Sequence, residues 1–253
     1  MTDRFTPWVR QLEARHLADL TFPEVARALR ALSSTYVERR GRLAEGAALS
    51  SAGKRAAFAL FYGPLHYLLL REIVNALPGA TDPTDSLVDL GCGTGVAGAA
   101  WAAACAHPPR VVGVDRSAWA VAEAARTYRD FGLSARTKQG DAAAVDLPSR
   151  PSSIVAAFTL NELPADKRDA LMERLILRAA DGSRLLLVEP IAGFVAPWWA
   201  RWRDAVVRAG GREDEWRVRC ELPAVVAKLD RATGLDHREL TGRSLWLGGR
   251  GVQ

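Results

Sequence analysis

The chain has 253 residues, of which 49% are hydrophobic and 25% are charged, and its formal net charge is +5. These proportions are ordinary for a globular domain and exclude a low-complexity chain. The sequence has no run of about 18 apolar residues and begins with the polar stretch MTDRFTPWVRQLEARH, so it predicts neither a membrane span nor a signal peptide.

The region before residue 78 has helical patterns. Apolar residues at positions 8, 9, 12, 17 and 20 predict a first helix, and Pro23 is suited to open a second one over residues 23–43. A third helical stretch, residues 50–77, is predicted to bend or divide at Pro64. A linker rich in Pro, Asp and Thr follows. We therefore predict an N-terminal helical cap, residues 1–80, before a second domain at residues 84–253.

After the linker, strand patterns alternate with helical patterns. This order predicts an α/β fold, with a seven-stranded, mostly parallel sheet and helices on both of its faces. In such sheets ligands bind at the carboxyl ends of the strands. The predicted strands lie at residues 86–91, 110–115, 134–141, 153–160, 183–190, 216–222 and 244–249.

The first strand runs into a glycine-rich loop in the sequence SLVDLGCGTGVAG, residues 86–98. Gly93, Gly95 and Gly98 have the G-x-G-x-x-G spacing of a dinucleotide-binding loop. However, Asp89 lies in the strand, two residues before Gly91, and a carboxylate at that place would repel a pyrophosphate. A ligand that carries an ammonium or sulfonium group suits it better.

The pattern Asp-x-Gly-x-Gly-x-Gly resembles motif I of the class I S-adenosylmethionine-dependent methyltransferases, which have a Rossmann-like fold. The resemblance implies S-adenosylmethionine as the cofactor. It also implies cofactor contacts in the loops after the first four strands. The implied residues are Asp89, Gly91, Cys92, Gly93 and Gly95 in the first loop, Asp115, Arg116 and Trp119 after the second strand, Asp141 and Ala142 in QGDAA, and Asn161 in TLNELP. The predicted cap is expected to face these loops with FYGPLHY, and Tyr62 is the residue that we expect to reach the cofactor.

These residues have different expected roles. An acid at the end of the second strand, here Asp115, accepts hydrogen bonds from ribose hydroxyls in both methyltransferases and dinucleotide-binding proteins, so it does not discriminate between them. The resemblance places Trp119 against the adenine ring, although packing in a helix is an alternative. It places Asp141 at the adenine amino group.

The loop after the fourth strand, TLNELP at residues 159–164, is where class I methyltransferases present residues to their substrates. Asn161 matches a position that N-methyltransferases use to accept a hydrogen bond from the target, and Glu162 is able to remove a proton from the nucleophile. The resemblance is partial, because Glu162 and Leu163 replace the usual proline and aromatic residue. Asn161 and Glu162 are predicted catalytic residues, with helix capping as the alternative.

Several further motifs resemble a narrower family, the methyltransferase-like proteins of the small ribosomal subunit, which are known from mitochondria and bacteria. They imply ribosomal RNA or the small subunit as the partner. These motifs are YVERR at 36–40, YGPLHY at 62–67, GAAWAAA at 98–104, NEL at 161–163 and VEP at 188–190.

The chain departs from that narrower family in its cysteines. Many members hold an iron–sulfur cluster, but Cys92, Cys105 and Cys220 are scattered and cannot supply one. The same set excludes a disulfide framework and, with four scattered histidines, predicts no metal site. A reducing, cytoplasmic location is the natural prediction.

The segment APWWARWRDAVVRAGGREDEWRVR, residues 196–219, interleaves aromatic and basic side chains. Such a segment is able to grip single-stranded RNA, with Arg201 and Arg203, and with the arginines at 39, 40 and 42, on the phosphates. It is equally able to pack on the sheet or to wall a small-molecule pocket. Three functions stay open: an RNA methyltransferase, which we favour slightly, a small-molecule N- or O-methyltransferase, and a non-catalytic assembly factor.

Overall fold

A computed structural model describes residues 3–38, 49–191 and 196–249, and of these the side chains at 34–38 are not described. The predicted RNA contacts at Arg39, Arg40 and Arg42, and most of the YVERR motif, therefore lie outside the described residues. The chain forms two compact units, one made of Met1–Leu68 with Arg219–Leu240 and the other of Leu69–Val218 with Thr241–Gln253.

The first unit is helical. Its elements are α1 (Phe5–His16), α2 (Phe22–Glu38), α3 (Ala52–Ala57) and α9 (Ala224–Thr233). Helix α2 begins with a capping box, in which the Thr21 backbone N–H and hydroxyl both donate to Glu24 Oε2 at 2.7 Å. The late segment of the chain is held to the early one by a hydrogen bond from Arg30 Nη2 to the Ala232 carbonyl, 3.0 Å, and by Lys228 over the Phe22 ring.

The third helical stretch divides next to Pro64, as the sequence predicts. A π-helical turn, Phe58–Tyr62, separates α3 from α4 (Gly63–Ala76). Proline has no N–H to donate to the carbonyl four residues earlier, and its ring crowds that carbonyl. A widened turn before Pro64 relieves both effects without ending the helix.

The second unit contains the predicted seven-stranded sheet, in the order β3-β2-β1-β4-β5-β7-β6. Strands β3, β2, β1, β4 and β5 run parallel to one another, and β7 pairs with β5 in antiparallel register. The strands are β1 (Ser86–Leu90), β2 (Arg110–Asp115), β3 (Ala135–Gln139), β4 (Ser153–Ala157), β5 (Arg184–Glu189), β6 (Arg212–Val218) and β7 (Leu240–Leu247).

Helices alternate with these strands, and they are α5 (Val96–Ala104), α6 (Ala118–Asp130), α7 (Ala165–Ala180) and α8 (Trp199–Arg208). The α/β fold predicted from the alternation is confirmed. The largest differences are at β6 and β7, which each begin four residues before the predicted strand. No helix within the described ranges is both long and apolar enough to cross a membrane.

The linker before β1 is fixed to the sheet unit by side chains. The Arg184 guanidinium, in a residue only 8% exposed, donates to the carbonyls of Gly79, Asp82 and Pro83 at 2.7, 2.9 and 3.0 Å. The indole N–H of Trp101 donates to the Ala80 carbonyl at 2.7 Å. The linker therefore has a defined path, although its composition is typical of a flexible segment.

Candidate active site

The loop after β1 has the tight shape that its glycines predict. Gly91, Gly93 and Gly95 have φ angles of +64°, +51° and +80°, a region that side chains rarely adopt. A Cβ at Gly91 would lie 2.1 Å from Thr159 Cγ2, and one at Gly95 would lie 3.0 Å from the Ala124 Cα. The loop therefore needs glycine at position 91, because the turn after β4 packs directly against its backbone and leaves no room for a side chain.

Asp89, in β1, is hydrogen-bonded to residues that follow this loop. Its Oδ2 accepts hydrogen bonds from the Gly98 backbone N–H at 2.8 Å and from the Tyr128 hydroxyl at 3.0 Å, and the residue is 1% exposed. Burial raises the pKa of Asp89 to about 6. Because these donors already occupy the carboxylate, its direct contact with a cationic ligand stays a prediction.

Asp115 ties the same loop to the end of β2. Its Oδ2 accepts from the Gly93 N–H at 3.0 Å, and its Oδ1 accepts from the Ser117 N–H at 2.8 Å. Each oxygen keeps a second lone pair for a ligand hydroxyl.

Cys92, in the same loop, is buried. Its backbone N–H donates to the Val114 carbonyl at 2.9 Å, and burial raises the pKa of its thiol well above the usual range. Its thiol is therefore kept neutral.

Glu162 lies close to the end of β2. It ends the short 3₁₀ turn Leu160–Glu162 after β4, and its Oε2 accepts from Arg116 Nη2 at 3.2 Å. Burial raises the pKa of Glu162 to about 7, Arg116 opposes this shift, and Asp115 adds to it. With 30% of its side chain exposed, Glu162 is an accessible carboxyl group that titrates near neutral pH.

Asn161, the other predicted catalytic residue, has its side chain engaged within the protein. Its Nδ2 donates to Glu189 Oε2 at 2.6 Å, and its Oδ1 accepts from the Trp198 indole N–H at 3.0 Å. The Leu160 N–H donates to Glu189 Oε1 at 2.9 Å. Glu189 is fully buried, which raises its pKa to about 8.

Sequence reasoning noted Glu189 only as part of the VEP motif and assigned it no role. The available signal was an acidic residue that follows four apolar residues in β5. It also missed Thr159, whose hydroxyl donates to the Gly91 carbonyl at 3.0 Å and so joins the two loops.

The remaining predicted cofactor contacts of the second unit lie after β2 and β3. Asp141 is paired with Lys167 Nζ at 2.8 Å and accepts from the Ala143 N–H, and these bonds lower its pKa. Ala142 is buried, and Trp119 is half-buried in the first turn of α6. Their contacts with adenine stay predictions.

Tyr62 belongs to the first unit. It lies in the π-helical turn, edge-on to Phe61 and 5.9 Å from the His66 ring. Burial raises the pKa of Tyr62 to about 12, with a smaller opposing effect from a hydrogen bond with Ser33, and burial lowers the pKa of His66 to about 3. The predicted contact of Tyr62 with the cofactor stays untested.

The tryptophan-rich segment is packed into the core of the sheet unit. Trp198, Trp199 and Trp202 are 8%, 3% and 0% exposed and belong to one hydrophobic cluster with Leu245. Arg201 pairs with Asp169, and Arg203 pairs with Asp204. Of the three roles considered for these indoles, packing on the sheet is the one observed, so their faces are not presented for base stacking.

Comparisons with known proteins agree with the fold. Residues 87–180 match the family model described as a methyltransferase domain, and no curated protein matches the chain. A putative O-methyltransferase from Nostoc punctiforme is 15% identical with a TM-score of 0.56, covering 87% of this chain and 72% of its own.

Two further solved structures are similar. An O-methyltransferase from neocarzinostatin biosynthesis, in complex with S-adenosylmethionine and 2-hydroxy-5-methyl naphthoic acid, is 18% identical with a TM-score of 0.53, covering 94% of this chain and 70% of its own. Mitomycin 7-O-methyltransferase is 15% identical with a TM-score of 0.53, and the match covers 98% of this chain and 74% of that protein's chain. At such identities the likeness shows the fold alone.

The domain match, together with the glycine loop and Asp115, identifies the enzyme class. The chain is an S-adenosylmethionine-dependent methyltransferase of Rossmann-like fold, and S-adenosylmethionine is its cofactor. The second lone pair that each Asp115 oxygen keeps fits the hydroxyl groups of such a ligand. Across the described ranges, no group of three or more His, Cys, Asp or Glu side chains is arranged to hold a metal ion. The predicted RNA substrate has no support from these comparisons.

Proposed function

We propose that this enzyme methylates a small molecule at a hydroxyl or amine group that carries a proton at neutral pH. The observation that carries the proposal is Glu162, an accessible carboxyl group beside Asp115 and Arg116 whose pKa is about 7. A general base works best when its pKa lies near the working pH. Glu162 therefore has the properties needed to take a proton from a phenol-like nucleophile.

Besides a general base, the reaction needs only groups that bind and orient the cofactor and the substrate. S-adenosylmethionine supplies a methyl group on a sulfonium that is already a good leaving group. The glycine loop and Asp115 hold the ligand in line, Glu162 accepts the proton of the nucleophile, and Arg116 stabilises the ionised form of Glu162. Alignment of the reacting groups accounts for most of the acceleration in such a step.

The environment of the tryptophan segment also favours a small molecule over RNA. The indoles of Trp198, Trp199 and Trp202 are buried, and Arg201 and Arg203 are paired with acids, so the surface expected to grip a strand is already occupied. Two of the similar solved structures are named for O-methyltransferases with small molecules, one with a naphthoic acid bound and one for mitomycin, whereas the resemblance to the small-ribosomal-subunit family would imply RNA. The two substrate classes are therefore compared directly in the test.

The test is transfer of a tritiated methyl group by purified protein to four acceptors: a panel of phenols, a panel of amines, total RNA and small ribosomal subunits. We expect label in a small molecule, with none in RNA. Glu162→Gln should lower kcat by about 10²-fold or more and leave S-adenosylhomocysteine affinity within about twofold.

Asp166→Asn is the matched control, because Asp166 is an exposed acid four residues away in the first turn of α7. It should keep full kcat. Label confined to RNA would overturn the substrate class, and full activity of Glu162→Gln would overturn the role of Glu162.

A further inference from the structure

The turn that carries Glu162 has little to hold it in place by itself. It is a single 3₁₀ turn of three residues, closed by the Glu162 N–H on the Thr159 carbonyl at 3.0 Å and the Leu163 N–H on the Leu160 carbonyl at 3.3 Å. Such turns have poorer hydrogen-bond geometry than α-helices. The placement of Glu162 therefore depends on what anchors the turn to the rest of the unit.

We propose that Glu189 is a positioning residue that holds Glu162 in its base position by clamping this turn with both of its carboxylate oxygens. Glu189 is 0% exposed at the end of β5, and it accepts from the Leu160 N–H at 2.9 Å and from Asn161 Nδ2 at 2.6 Å. These two donors belong to the two residues that precede Glu162. This proposal rests on the proposed function, since it assigns Glu189 a role through Glu162.

The polarity of the clamp is determined by Trp198. An indole N–H only donates, so the atom of Asn161 that it meets at 3.0 Å must be the amide oxygen. The Asn161 amide nitrogen then faces Glu189 and must donate to it. Donors and acceptors therefore run in one direction, from Trp198 through Asn161 to the ionised Glu189 carboxylate. Because burial raises the pKa of Glu189 to about 8, the variants are compared above that pH, where the carboxylate form predominates.

This one-way order allows an exchange experiment. Glu189→Gln replaces one of the two acceptor oxygens with an amide nitrogen, which only donates. That nitrogen must face either Asn161 Nδ2 or the Leu160 N–H, so two donors oppose each other. Asn161→Asp sets two carboxylates face to face. The double variant Glu189→Gln with Asn161→Asp restores every bond with the middle one reversed, because Gln then donates to Asp while Asp still accepts from Trp198.

We expect each single variant to lower kcat by about 10- to 100-fold, as small displacements of a catalytic group do, and the double variant to recover to within about threefold of the parent. S-adenosylhomocysteine affinity should stay within about twofold throughout. Asp181→Asn, at an exposed acid paired with Arg178, is the control that should change nothing. If the single variants keep full kcat, or lose kcat and cofactor affinity equally with no recovery in the double variant, the proposal is wrong.

A second readout needs no substrate and separates this proposal from the proposed function. The Trp198 indole N–H resonance, assigned with Trp198→Phe, should exchange faster with solvent in Glu189→Gln, where the Asn161 amide loses its fixed orientation, and should be protected again in the double variant, where the aspartate introduced at position 161 accepts from the indole. If the resonance follows this pattern while Glu162→Gln keeps full activity, the clamp is present and the base is wrong. An unchanged exchange rate of this N–H in Glu189→Gln would overturn the clamp itself.

Discussion

The loop after β1 and the turn after β4 touch through the Thr159 hydroxyl and the Gly91 carbonyl, yet they are held by different means. The first loop is shaped by its own backbone, with three glycines at positive φ within five residues. The second is shaped by side chains from distant elements, namely Glu189, Trp198 and Arg116. Local composition thus determines the shape of the glycine loop, whereas the turn that bears Glu162 depends on tertiary contacts.

The largest effect should come from Gly91→Ala, which tests whether the first loop depends on its backbone. The new Cβ would meet Thr159 Cγ2 at 2.1 Å and the residue would keep φ near +64°, so we expect a loss of about 2–5 kcal/mol in unfolding free energy. Gly210→Ala is the matched control in the same unit, since Gly210 has φ +92° and a Cβ added there would meet nothing within 4 Å; it should lose about 1–2 kcal/mol. Equal losses in denaturant titrations would contradict the packing argument.

A smaller effect is expected for Asp115→Ala, which removes the side chain that ties the first loop to β2. Loss of charge-assisted hydrogen bonds should weaken S-adenosylhomocysteine binding by about 1.5–3 kcal/mol in calorimetry. Asp141→Ala should cost about 0–1 kcal/mol, because its carboxylate is 38% exposed and paired with Lys167. A larger loss at Asp141 than at Asp115 would reverse the assignment of the main polar anchor.

The smallest effect concerns the charge environment of the second turn and is read from the pH dependence of kcat. Glu162 must be ionised to accept a proton, so kcat should rise with pH through about 7, the value to which burial raises its pKa. Arg116 lowers that pKa, so Arg116→Gln should move the limb upward by about half a pH unit, a modest shift because the pair is partly exposed. The control is Arg129→Gln, at an exposed arginine in the last turn of α6, which should leave the pH dependence of kcat unchanged. A downward shift for Arg116→Gln would contradict this pairing.

The same contrast explains what the sequence predicted. Strand and helix periodicity, the glycine spacing and the acid at position 115 are local patterns, and the fold they predict is confirmed. Asn161 was identified by its type and position, but its partners Glu189 and Trp198 are 28 and 37 residues away, so no local pattern reveals that its amide is engaged. The tryptophans were ambiguous for the same reason, because helical spacing does not say what covers a face.

The grouping of late residues with the N-terminal helices is another long-range property. Arg219–Leu240 forms one compact unit with Met1–Leu68, through contacts such as Arg30 to Ala232 across 202 positions. The sequence has no repeat or charge pattern that would indicate such a pairing. The predicted division into residues 1–80 and 84–253 stays a prediction about domains.

The bonds from Arg184 and Trp101 to the linker have a consequence for shortening the chain. A fragment that starts at residue 84 would lack the carbonyls of Gly79, Ala80, Asp82 and Pro83, and would leave a buried guanidinium and a buried indole N–H without acceptors. Each such orphan costs about 1–3 kcal/mol. The smallest fragment able to keep the sheet intact therefore begins upstream of Gly79, with the linker retained as part of its folded body.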